Sequence, residues 1–118
     1  MNSAASAPSV SEAAERYAVD LRRTVDRLRA IGAARLAASF APEPTRAEAA
    51  FALIEVMAER VAHVDGSEPR TVPRLADMAF GDQMAVIGRE LLIAARAQAN
   101  PDILVQTADE LLDLRRRV

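Results

Sequence analysis

Three helix starts are written into this chain as punctuation, and they constrain it more than any other feature. Ser9 and Glu12, then Thr45 and Glu48, have the spacing of a capping box, in which a side chain at each position satisfies a free backbone N–H of the other. Asn100-Pro101-Asp102 supplies an N-cap, a proline at the first helical position and an acid facing the positive helix end. Stops sit between these starts: Pro42 and Pro44, Asp65-Gly66, and Asn100 itself. A chain cut this way into long helical pieces with short connections predicts an all-α, four-helix, up-and-down bundle.

The side-chain pattern agrees. Tyr17, Leu21, Val25, Leu28, Ile31 and Leu36 recur at steps of three to five and predict a first helix from Ser9 to about Phe40. Its opposite face carries Glu12–Arg16, Arg22–Asp26 and Asp26–Arg29 as expected ion pairs. A second helix is predicted from Arg46 to Val64, with Gly66 as a left-handed cap and Ser67 to Thr71 as loop. A third runs from Val72-Pro73 to about Ala99, with a possible break near Gly81-Asp82 that would give five shorter helices. The fourth carries Ile103, Leu104, Ala108, Leu111, Leu112 and Leu114 and ends in Arg115-Arg116-Arg117, cations suited to a helix C-terminus. Residues 1–8 are rich in Ala, Ser and Pro and are expected to be a flexible tail before a single domain, 9–118.

Composition supports helix over strand. Half of the 118 residues are hydrophobic, yet only three Phe and one Tyr are present and no Trp. Alanine loses no side-chain entropy in a helix, whereas strands favour aromatic and β-branched residues. The net charge of −2 provides no field toward nucleic acid or an anionic membrane. All fifteen basic residues are Arg, which with the abundant Ala is the codon usage of a GC-rich bacterial genome. There is no cysteine, hence no disulfide or thiolate chemistry. The first ten residues lack a basic n-region and an apolar h-region, and the longest apolar runs are AAFALI and LLIAA, so a cytoplasmic protein is expected.

The third predicted helix is the informative one. Gly81, Ala85, Gly88, Leu92 and Ala95 form a stripe of mostly small residues, fit for close approach of another backbone. Phe80, Met84, Ile87 and Leu91 form a second, larger apolar stripe. Val86 and Ile93 are left among the charged residues of the third face. Either the fourth helix covers them or a partner does. Leu53 and Val56 are a similar surplus on the second helix.

Chemistry is sparse. His63 follows Glu55 and Glu59 at four-residue steps, but helical di-iron sites need two Glu-x-x-His motifs and this chain has one His. Asp77, Asp82, Glu90, Arg74 and Arg89 have the spacing of a solvated face. Met57, Met78 and Met84 suit either a core or an adaptable pocket. Arg22, Arg23, Arg27, Arg29 and Arg115–Arg117 are interrupted by acids and lack an aromatic platform, so nucleic-acid binding is not expected. No catalytic, metal or cofactor-binding residue is assigned. The expectation is a non-enzymatic interaction or regulatory module that self-associates as a homodimer through surplus apolar surface including Val86 and Ile93. The alternative is a small-molecule binder or minor enzyme with a pocket between helices.

Overall fold

The computed structural model describes residues 7–118; the tail expected at 1–8 falls almost wholly outside them. Helix α1 spans Val10–Ala30 and begins on the predicted box: Ser9 Oγ accepts from the Glu12 N–H at 3.0 Å, and the Glu12 carboxylate accepts from the Ser9 N–H at 3.1 Å. These bonds to Ser9 lower the Glu12 carboxyl below its ordinary value. The helix stops ten residues before its predicted end. Ile31 is extended, and a one-turn helix α2, Ala33–Leu36, follows Gly32. Both Ile31 and Leu36 are buried. In a straight helix a five-residue step turns about 140°, so the two could not share one face; the chain bends to bury both.

After α2 comes a minimal antiparallel hairpin, β1 (Ser39–Phe40) and β2 (Glu43–Thr45), with a cis Ala41–Pro42 peptide between them. Helix α3, Arg46–Asp65, starts with Thr45 Oγ1 accepting from the Glu48 N–H, but the return half of the expected box does not form because the Glu48 carboxylate pairs with Arg74. The helix ends at Gly66, left-handed at φ 74°, as anticipated. The next helix does not begin at Val72-Pro73. Residues 67–76 form an extended strap, a 3-10 turn covers Asp77–Ala79, and α4 runs Phe80–Ala97. Helix α5, Pro101–Arg117, opens with Asn100 Oδ1 accepting from the Ile103 N–H.

The strap has no regular structure and is held against α4 at two points. Arg70 pairs with Glu90 at 2.8 Å, and the Pro73 carbonyl accepts from Gln83 Nε2 at 2.9 Å. The segment therefore runs antiparallel to α4. Arg74 pairs with Glu48 and Asp77 and lies over two stacked rings, 4.6 Å from the Phe80 centroid and 5.4 Å from that of Phe51.

The four long helices form one bundle with a single core. Helix α1 packs antiparallel to α4 and parallel to α5, and α3 packs parallel to α4. The bundle is all-helical as expected but ordered up-down-down-up, because the strap carries the chain back along α4 before that helix begins. Tyr17, Ile54, Met57, Phe80, Met84 and Leu104 are among the side chains wholly removed from solvent. The small stripe of α4 is the seam with α1. A Cβ on Gly88 would come within 2.5 Å of Leu21 Cδ1, and one on Gly81 within 2.8 Å of Arg29 Cγ. Charged side chains clamp the outside: Arg16 to Asp109 at 2.5 Å, Arg29 to Asp82 at 2.7 Å, and Arg60 to Glu110. The expected Glu12–Arg16, Arg22–Asp26 and Asp26–Arg29 pairs do not form. Glu12 is held by its cap, Arg16 reaches Asp20 and Asp109, and Arg29 turns to α4. Among the described residues no helix is long and apolar enough to cross a membrane.

Candidate functional site

Helix α4 presents a ridge. Val86 is 63% exposed and Ile93 59%, so α5 does not cover them. They lie seven residues apart, two turns and about 10 Å along one face. Leu53 and Val56 of α3, by contrast, are half buried, and that part of the expected surplus is absorbed within the chain.

A groove lies on each flank of the ridge. The first, about 570 Å³, is bounded by α3, the strap and α4. Val72, Leu75, Val86 and Ile87 line it, with Arg70, Asp82 and Glu90 at its rim. Leu75 is 43% exposed and prolongs the apolar face. The second, about 470 Å³, lies between α1 and α4, and its apolar lining includes Leu21, Val25, Leu92 and Ile93. Arginines dominate its walls: Arg22 and Arg29 from α1, Arg89 and Arg96 from α4, against Asp26 as the single carboxylate. Leu21, half buried against Gly88, lines this groove from the α1 side.

Other residues considered from sequence are dispersed. Met57 and Met84 fill the core and Met78 stands 52% exposed on the 3-10 turn, so the three line no common pocket. His63 is exposed in the last turn of α3, and among the described residues no three His, Cys, Asp or Glu side chains group as metal ligands. Arg74 and Asp77 belong to the strap clamp, while Asp82 and Glu90 hold Arg29 and Arg70. The C-terminal arginines divide their work. Arg115 reaches inward to Asp20 at 3.1 Å, Arg117 lies over Phe40 and donates to the Ala41 carbonyl, and Arg116 is exposed.

The buried Tyr17 hydroxyl donates to the Gly88 carbonyl at 2.8 Å, and burial pushes its pKa far above the ordinary 10.0. It is a structural bond in the α1–α4 seam, and sequence offered no sign of it beyond a lone Tyr on an apolar stripe. The two flanking grooves were also not foreseen, because both depend on how α1, α4 and the strap meet. No family model, curated protein or solved structure matches the chain.

Proposed function

We propose that this protein is a non-enzymatic interaction module that works as a two-fold homodimer, joined through the outer face of α4. The observation that carries the proposal is the exposure of Val86 and Ile93 on an otherwise well-filled bundle. Large aliphatic side chains left in water at a regular helical spacing, between apolar grooves, are the mark of an association surface. A ridge bordered by grooves is also self-complementary in shape: two copies crossing about a two-fold axis each seat a ridge beside the other's groove. Burying an aliphatic side chain of this size contributes about 1.5–3 kcal/mol. Association costs more than one such residue repays, so Leu75 and the lining of the groove between α3, the strap and α4 have to join the contact. A bacterial source is proposed on the Arg- and Ala-rich composition, and a cytoplasmic setting on the pattern of the first ten residues and the shortness of the apolar runs.

The test is the solution mass. Light scattering coupled to size exclusion is expected to give a dimer that falls to monomer in Val86→Glu and in Ile93→Glu, with helicity retained. A wild-type monomer at every concentration overturns the proposal and assigns the ridge to a different protein.

A further inference from the structure

The groove between α1 and α4 holds charge that the fold does not use. Of its four arginines only Arg29 has an internal ion-pair partner, Asp82. Arg22, Arg89 and Arg96 form no salt bridge among the described residues. On a chain whose net charge is −2, this is a local excess of cations set around an apolar floor. We propose that the groove binds an amphipathic anion with a carboxylate head and a single aliphatic chain.

Each part of that ligand answers a feature of the groove. Leu21, Leu92 and Ile93, over a buried Val25, offer aliphatic side chains for the tail. No aromatic side chain lines the groove, so a flat, stacking ligand has no platform there. The volume of about 470 Å³ lies within the range of small-ligand sites. From Ala18 to Arg29 the α1 wall extends about 16 Å, enough for a medium-length acyl chain laid along it. The head is selected by charge: guanidinium groups present paired N–H donors that match a carboxylate. The groove on the other side of the ridge has Arg70 as its one lining cation, and Arg70 is paired with Glu90, so it offers the head no unpaired cation.

The site can be tested without relying on the dimer. Val86 does not line this groove, so Val86→Glu removes the proposed dimer contact while leaving the whole lining in place. Calorimetric titration of that variant and of the wild type with dodecanoate, below its micelle concentration, is expected to show saturable one-to-one binding. Dodecyltrimethylammonium, with the same tail and the opposite charge, is expected to bind at least about tenfold more weakly, and so is acetate, which has the head alone. Arg89→Gln/Arg96→Gln should weaken dodecanoate about tenfold with unchanged helicity. Equal binding of the anionic and cationic detergents, or of dodecanoate to wild type and the double variant, overturns the proposal. So does a result in which Arg96→Glu dissolves the wild-type dimer and dodecanoate fails to bind, because the arginines would then serve the carboxylates of a second copy.

Discussion

Tyr17 and Gly88 hold α1 and α4 together by two interactions at one point: the phenol donates to the glycine carbonyl at 2.8 Å, and the missing side chain of the glycine admits Leu21. The pair accounts for a glycine in the middle of α4, where helix propensity alone would disfavour it by about 1 kcal/mol.

Gly88→Leu should overpack the seam against Leu21 and lower stability by about 1–3 kcal/mol or more. Chemical denaturation of the two proteins measures it. A more stable variant would mean that the seam is open and that only the helix-propensity gain is felt.

Tyr17→Phe should cost about 1 kcal/mol through the lost buried hydrogen bond. It should also change the alkaline limb. Because the folded pKa is raised, the neutral phenol favours the folded state fully below the unfolded value of 10.0, and that advantage is lost as pH rises beyond it. Wild type should therefore lose stability above about pH 10 more steeply than Tyr17→Phe. Identical limbs would place the hydroxyl in water.

Asp20 and Arg115 are largely shielded and share a network with Thr24, whose hydroxyl lies 3.3 Å from the guanidinium. Asp20→Ala, which strands the cation, should destabilise by about 2–3 kcal/mol. Asp109→Ala, at the exposed end of the Arg16 pair, should stay within about 0.5 kcal/mol. Comparable losses in thermal melts would show that the inner pair is as well hydrated as the outer.

Arg74 is the strap's latch, over Phe51 and Phe80 and between Glu48 and Asp77. Arg74→Ala should cost about 1 kcal/mol and raise the rate of limited proteolysis between residues 67 and 76 while the helices remain intact. Unchanged cleavage would show that Val72 and the Arg70–Glu90 pair suffice to hold the segment.

What could be read from sequence follows the range of the interaction responsible. Ser9, Thr45, Gly66 and Asn100 act on atoms within a few residues, and each caps its helix, although the Thr45 box closes on one side only because a distant arginine takes the Glu48 carboxylate. The surplus at Val86 and Ile93 was legible because they break the charge pattern of their face, but whether the last helix covered them was not, since that depends on how the helices meet. The end of α1 and the start of α4 depended on distant partners. Leu36 leaves the helical stripe to reach the core, and Arg74 gives up a helical turn to lie over rings from two other helices. The five-residue step from Ile31 to Leu36 was the available warning. For the strap, Pro73 had the same local signature as a helix start. The grooves had no local signature at all.

The pairing of α1 with α5 and α4, and not chiefly with α3, matters for how the chain is made. As it leaves the ribosome, α1 emerges first and its two best partners last. Its stripe of Tyr17, Val25 and Leu28 must wait, uncovered, through the synthesis of the hairpin, α3 and the strap. Nascent chains with apolar faces held open in this way are natural clients for chaperones. Moving α1 to follow α5 in a circular permutant, through a linker long enough to run back the length of the two parallel helices, would shorten that wait and should raise the soluble yield.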